Sequence, residues 1–157
     1  MFHIISAIRA LMILVFGLIL FSVSSPVFAE NSLPQPDEMG DYRSQINHLY
    51  WQVVDPDPNG LNCRMGESSI QEVWNIDSPR YPEIGTWSVV TTLQTNEVFK
   101  AELTYGGFLA TFDQNFNPWI FVEEKSDGTP ANCFVRANNN FVQPIAESQF
   151  KQALLSS

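Results

Sequence analysis

Residues 87–112 read WSVVTTLQTNEVFKAELTYGGFLATF, and this stretch sets the fold class. It contains three runs that are rich in β-branched and aromatic residues, and each run is bounded by Asn or Gly, which favour turns. The runs predict strands over residues 87–93, 97–104 and 107–112. Along the second of these strands we expect Val98 to point inward and Phe99 to point outward or toward an edge.

Five more runs of the same kind flank this stretch. They predict strands over residues 50–54, 61–64, 118–123, 131–136 and 141–145. Asp55-Pro-Asp-Pro-Asn-Gly60 and Lys125-Ser-Asp-Gly128 reverse the chain between neighbouring runs. Many short strands at this spacing are typical of a barrel or a sandwich, so the sequence predicts an all-β domain.

Helical spacing occurs in two short segments. Phe150, Ala153 and Leu154 predict a short C-terminal helix within residues 146–155, packed across the barrel. Apolar residues that are four and three positions apart predict one or two helical turns within residues 41–49. Both helices are accessory to the strands.

The N-terminal residues have the parts of a secretory signal peptide. A basic start with Arg9 and no acidic residue precedes an apolar run over residues 10–23, and Val27 and Ala29 supply the small side chains that a signal peptidase needs. We therefore interpret residues 1–29 as a cleaved signal peptide. The alternative is a retained membrane anchor, because the apolar run is near the lower length limit for a bilayer core of about 30 Å.

Export sets the expected compartment and excludes some partners. Residues 30–49 then form a flexible, polar lead-in with the short helical segment, and residues 50–157 form the domain, in the periplasm or outside the cell. Removal of Arg9 changes the net charge from −9 to −10, which disfavours nucleic acid and anionic membranes as partners. We expect no stable membrane insertion after cleavage.

In an oxidising compartment the cysteine pair Cys63 and Cys133 indicates one disulfide, with two unrelated buried thiols as the alternative.

The sequence contains no recognisable catalytic or metal-binding set. His48 is the only histidine after the signal peptide, so we expect a protein that is not an enzyme and that holds no cofactor. Asp55, Asp57 and Asn59 match the first half of a calcium loop, which is the alternative interpretation of this turn. Gly66 stands where such a loop needs its closing glutamate, so an acidic turn without metal is favoured.

Three segments match, in order, a known pattern of turns and strands. Gly60-Leu-Asn-Cys-Arg-Met-Gly66 contains a Leu-Asn-x-Arg turn followed by Gly, Trp119-Ile-Phe-Val122 contains a Trp-x-x-Val strand, and Asp127-Gly128 forms a hairpin tip before the closing strands. Together they resemble the bacterial SH3-like (SH3b) domain family over residues 53–145. The resemblance implies a small SH3-like barrel that binds a cell-envelope component, either a cell-wall peptide or a protein segment.

The resemblance also implies positions for individual residues. Leu61 is expected to point inward, and Gly66 is expected to adopt a positive φ where the chain reverses. Trp119 and Val122, three apart on one strand, face opposite sides, with Val122 in the core and Trp119 near the rim. The alignment places the two cysteines on neighbouring strands.

The chain departs from the SH3-like pattern in two places. Residues 66–86 form an insertion after the first turn, and Cys133-Phe-Val135 replaces the closing Gly-Trp-Val, so a groove built on that tryptophan is not carried over. We expect Trp74 and Tyr81 of the insertion to be exposed or to cover the barrel, and to bind ligand together with Trp119. The alternative function is assembly, in which exposed aromatic surface docks onto another envelope protein.

Cleavage after Ala29 predicts that the exported protein begins at Glu30. The intact mass and the N-terminal peptide of the protein recovered from the producing cells measure this directly. Recovery of a chain that still begins at Met1 would contradict the prediction and favour the membrane-anchor alternative.

Overall fold

A computed structural model describes residues 33–43, 47–75, 77–78 and 80–156. Its strands are β1 (Tyr50–Val53), β2 (Leu61–Met65), β3 (Ser88–Leu93), β4 (Val98–Glu102), β5 (Ala110–Phe112), β6 (Pro118–Lys125), β7 (Pro130–Arg136) and β8 (Val142–Pro144). Its helices are α1 (Ile70–Val73), a 3₁₀ turn (Ile84–Thr86) and α2 (Glu147–Leu154). The prediction of an all-β fold with a short C-terminal helix is confirmed. The predicted signal peptide, residues 1–29, lies outside the described residues.

The eight strands form one antiparallel sheet, in which seven follow the order β3-β2-β7-β6-β4-β1-β8 and β5 pairs with β6 outside this order. The long strand β6 has β7 along one edge, while β5 and then β4 share its other edge. Leu93 of β3 and Val142 of β8, at opposite ends of the strand order, belong to the same buried cluster. The sheet therefore curls around one core in the manner of a barrel.

The inner face of the sheet supplies the main core. Trp51, Phe99 and Ile120 from three different strands are fully buried there. Cys63 of β2 and Cys133 of the neighbouring strand β7 form a buried disulfide on this face with a Cα–Cα distance of 5.4 Å, which confirms the predicted pair.

The outer face of the sheet carries a second apolar cluster, and the insertion covers it. Trp119, Phe121 and Phe134 on β6 and β7 pack against Trp74 and Ile84 of residues 66–86. Ser69 begins helix α1 with a capping box: its hydroxyl accepts from the Glu72 amide and the Glu72 carboxylate accepts from the Ser69 amide. The insertion thus folds locally and buries the second face of the sheet.

Helix α2 covers a third, smaller cluster. Phe150 packs on Val98 and Ile145, and its ring lies 5.1 Å from that of Tyr50. The Gln149 side chain accepts from the Ala146 amide at the start of the helix. Within the part of the chain that the structure describes, none of the helices has the length and apolar character needed to cross a bilayer.

Four positional expectations differ from the structure. Phe99 lies in the main core, whereas Val98 faces helix α2, because both faces of β4 are covered. Gly66 does not have a positive φ; instead, a Cβ at this position would lie 2.8 Å from the Trp87 ring.

The expected helix within residues 41–49 is wrong for the described residues 41–43 and 47–49, which are not helical. The lead-in is docked where Tyr42 packs on the barrel.

The docked lead-in is fixed by a buried ionic network. Asp41 accepts hydrogen bonds from Arg43, Arg136 and Asn138, and it pairs with Asn138 in an antiparallel bridge. The ring of Tyr42 packs edge-on against Trp51 at 4.9 Å. Residues 37–43 are therefore part of the folded domain rather than a flexible leader.

Replacement of both cysteines, Cys63→Ala with Cys133→Ala, should lower the free energy of unfolding by up to about 4 kcal/mol. The bridge joins residues that are 70 apart, and closing so long a loop restricts the unfolded chain strongly. Guanidinium unfolding followed by tryptophan fluorescence measures the loss. As a control, a reductant should lower the midpoint of the wild type and leave that of the double variant unchanged. Equal midpoints for the oxidised wild type and the variant would contradict the prediction.

Candidate functional site

Strand β5 has one unpaired edge. Asp113 N–H donates to Asn117 O at 3.0 Å, so these two residues form a hydrogen-bonded pair at the end of the β5–β6 hairpin. Hydrogen-bonded and non-bonded pairs alternate along antiparallel strands, which directs the amide and carbonyl groups of Ala110 and Phe112 away from β6. Within the described residues these groups make no hydrogen bond with another segment. The β5 edge is therefore available to a further strand.

A groove lies along this edge. We call it the β5 groove; it has a volume of about 340 Å³, which is within the range of small-ligand sites. Its floor is β5, one wall is the insertion, and the other wall is the loop between β4 and β5. The lining residues are Val73, Trp74, Asn75, Ser78, Arg80, Tyr81, Pro82, Thr104, Gly106, Phe108, Ala110, Thr111 and Phe112.

The insertion is attached to the β5 hairpin at two points. Trp74 Nε1–H donates to Thr111 Oγ1 at 3.0 Å, and Gln114 N–H donates to Pro82 O at 3.2 Å. The groove-lining residues between Trp74 and Pro82 belong to the segment of the insertion that connects these two contacts. The insertion is therefore anchored to the β5 hairpin at Thr111, in the middle of β5, and at Gln114, two residues beyond the end of the strand.

Exposed aromatic rings surround the groove. Tyr81 is 56% exposed and its ring lies 5.3 Å from that of Phe116, which is also exposed. On the opposite wall Phe108 lies against Gly106, where a Cβ would meet its ring at 2.8 Å. Tyr105 stands edge-on to Trp74 at 5.4 Å. Such rings offer flat apolar surface for a ligand side chain.

The structure brings together two of the three predicted binding residues. Trp74 and Tyr81 both line the β5 groove; Trp74 is only 7% exposed and covers the outer face, while Tyr81 is open to solvent. Trp119 is also 7% exposed, does not line the groove and lies on the outer face of β6 instead of at a rim. Val122 lies in the main core as expected.

Sequence reasoning missed Arg80, Phe108 and Phe116. Phe108 lies in the loop between β4 and β5, and Phe116 lies in the β5–β6 hairpin. Both loops approach the insertion only through the order of strands in the sheet. Gly106-Gly107 could have indicated the position of Phe108, because glycines lack a Cβ and leave room for the following ring to pack against the backbone. Arg80 has no local signal beyond its place in the insertion.

Asp113 supports the hairpin under the groove. Its Oδ1 accepts from the amides of Asn115 and Asn117, and its Oδ2 accepts from Asn117 Nδ2 and Trp119 Nε1, all at 2.8–3.0 Å. Burial raises the pKa of Asp113, but the hydrogen bonds from Asn117 and Trp119 outweigh burial and hold the pKa below its usual value. The ionised carboxylate thus fixes the turn that follows β5.

The remaining chemical candidates have structural partners. His48 Nε2 lies 2.8 Å from Tyr50 O and 3.0 Å from Ile145 O. Because both partners are carbonyl oxygens, Nε2–H is the donor, and it joins β1 to the chain before α2. In the Asp55 turn, Asp55 accepts from the Asp57 amide and Asp57 accepts from Asn59. Over the described ranges, no group of three or more His, Cys, Asp or Glu side chains is arranged to hold a metal ion.

Asp113→Asn should destabilise the domain by about 1–3 kcal/mol at pH 7, because a side-chain amide would face the indole and amide donors. Since the folded pKa is lowered, the stabilisation is fully present above the unfolded value of about 3.9 and is lost as the pH falls through the folded pKa. The gap in unfolding free energy between wild type and variant should therefore shrink below about pH 4.

Chemical unfolding at pH 7 and at pH 3, with Asp77→Asn as a control for the change in net charge, measures this gap. Asp77 is exposed, so its replacement should leave stability unchanged at both pH values. A wild-type to Asp113→Asn difference that stays constant from pH 7 to pH 3 would show that ionisation of Asp113 does not stabilise the turn.

Comparison with protein families, with curated proteins and with solved structures finds no match for this chain. The proposal for the function of this protein therefore rests on the geometry of the β5 groove.

Proposed function

We propose that this protein is a non-enzymatic, exported binding module that takes an extended peptide segment into the β5 groove. The single observation that carries the proposal is that an unpaired strand edge forms the floor of a groove walled by exposed aromatic side chains. The segment belongs to a cell-envelope component, either a cell-wall peptide or an envelope protein. The two sources share the same peptide chemistry.

Main-chain pairing supplies the first part of the recognition. Ala110 and Phe112 each direct one amide and one carbonyl group away from β6, which is the arrangement that an added strand needs. The three residues of β5 span about 10 Å at ~3.4 Å per residue, so a segment of about three residues pairs along them. Backbone pairing of this kind tolerates many side chains.

Side-chain contacts supply the second part. The ligand residues in an added strand point alternately to either side, toward Tyr81 on one wall and Phe108 on the other. Both rings are already held, by Phe116 and by Gly106 respectively, so binding orders few additional groups. An apolar or aromatic ligand residue is favoured at these positions.

Three further features support a binding role in the envelope. The disulfide is typical of proteins in oxidising compartments, the signal-peptide pattern predicts export, and the resemblance to SH3-like domains implies peptide recognition. Assembly with a larger envelope protein is the second candidate. It is favoured by Tyr105 and Phe116, which extend exposed aromatic surface beyond the groove itself.

Two probes test the proposal: a displayed library of random L-peptides, and soluble muropeptides released from peptidoglycan by a muramidase. Binding should shift the backbone amide resonances of Ala110 and Phe112 and slow their hydrogen exchange, because both amides gain partners. Tyr81→Ala and Phe108→Ala should each weaken binding about tenfold. Whichever probe binds identifies the source of the segment.

Val90→Ala provides the matched control, since Val90 is an exposed apolar residue on β3, away from the groove. This variant should bind like the wild type, and all three variants should keep the wild-type melting temperature. Failure of both probes to perturb Ala110 and Phe112 would overturn the proposal. Binding of a folded envelope protein through Tyr105 and Phe116, without those amide changes, would favour the assembly role instead.

A further inference from the structure

The β5 groove has an unusual charge composition for this protein. The chain contains 17 acidic and 8 basic residues, and yet none of the thirteen residues that line the groove is acidic. The only charged side chain among them is Arg80. The groove is therefore a local exception to the negative surface.

Arg80 is also the only basic side chain in the described chain that is not committed to a partner. Of its seven basic residues, five form ion pairs with carboxylates: Arg43, Lys100, Lys125, Arg136 and Lys151. Arg64 is half-buried and donates to Trp87 O at 2.7 Å. Arg80 is exposed and its guanidinium has no hydrogen-bond or ion-pair partner among the described residues.

We infer that the segment bound in the β5 groove carries a carboxylate and that Arg80 binds this carboxylate. The inference rests on the proposed peptide-binding function and adds the chemical class of the ligand. A guanidinium pairs with a carboxylate through two parallel hydrogen bonds, which fixes the orientation of the ligand as well as its charge. Arg80 directly precedes Tyr81 on the same wall of the groove, and alternate residues of an extended segment face the same wall, so the carboxylate and an apolar ligand residue stand two positions apart in the bound segment.

The other side of the insertion does not offer the same environment. Arg80 also borders a second depression of about 370 Å³, but Glu72 and Glu83 line that depression as well. An anionic ligand there would meet two carboxylates together with the single guanidinium, and like charges repel. The acid-free side, where the strand edge lies, is thus the side that accepts a carboxylate.

Parallel selections of displayed L-peptides against the wild type and against Arg80→Gln test the inference. Peptides selected by the wild type should be enriched in Asp or Glu two positions from an apolar residue, and those selected by Arg80→Gln should not. Each selected peptide is then synthesised with its Asp or Glu and with the corresponding Asn or Gln. The wild type should bind the acidic peptide about three- to tenfold more tightly than its amide partner, since Arg80 is exposed to solvent.

Variants separate a specific pairing from a general effect of charge. Arg80→Gln should weaken binding of the acidic peptide to the level of the amide peptide and leave the amide peptide unaffected, while Arg80→Lys should keep part of the preference. Lys151→Gln makes the same change in net charge on helix α2 and should alter neither affinity.

The inference about Arg80 and the proposed peptide-binding function are contradicted by different results. If selected peptides shift the Ala110 and Phe112 amides but bind equally well with and without the carboxylate, the inference about Arg80 is wrong and the peptide-binding function stands. Equal weakening of both peptides by Arg80→Gln leads to the same conclusion. If neither the selected peptides nor the muropeptides perturb those amides, the proposed function falls and the inference falls with it.

Discussion

Burial of β6 on both of its faces is the constraint from which the rest of the structure follows. Ile120 and Val122 enter the main core, while Trp119 and Phe121 pack on the outer face. An antiparallel sheet commonly leaves one face to water, so two large aromatic rings on that face need a cover. Burial of each such side chain stabilises the fold by about 1.5–3 kcal/mol, which makes the covering insertion part of the domain rather than an appendage.

The cover also creates the groove. Trp74 reaches across the outer face to Thr111, and Pro82 meets the chain again at Gln114, so the insertion touches β5 at its centre and just beyond its end. The backbone groups of Ala110 and Phe112 that point away from β6 make no hydrogen bond with another described segment. Strand β5 is short because β4 takes over its place beside β6. The same arrangement that buries the outer aromatic cluster therefore leaves one strand edge open inside an aromatic wall, which is the combination that the proposed function uses.

The sequence predicted the strands well because their boundaries are local. Each run of β-branched and aromatic residues ends at Pro, Asn or Gly, and these residues act within a few positions of the chain. Which face of a strand meets the main core is not local: Val98 and Phe99 alternate as expected, but helix α2 covers the side that alternation alone assigned to the interior. Helix α1 was not predicted, although Ser69 and Glu72 have the spacing of a capping box.

The site was predictable only in part, for a related reason. Residues 66–86 were recognisable as a departure from the pattern on which the proposed resemblance to SH3-like domains rests, and their two aromatic residues Trp74 and Tyr81 were natural candidates. Phe108 and Phe116 join them through strand pairing across β4, β5 and β6, which no single segment encodes. Trp119 was misplaced because its position on the strand indicates the face but not whether another segment covers that face.

Charge and strand pairing would make different contributions to the proposed complex. The protein carries a net negative charge, so an acidic segment is repelled at long range, and this repulsion decays over a Debye length of about 8 Å at physiological ionic strength. Inside the groove the nearest charge is that of Arg80, with no acidic side chain in the lining to oppose it. Affinity then depends mainly on the β5 backbone and the aromatic walls, whereas the choice between an acidic and a neutral segment depends on a single guanidinium. A change at Arg80 consequently alters which segment is preferred without removing the edge to which any segment binds.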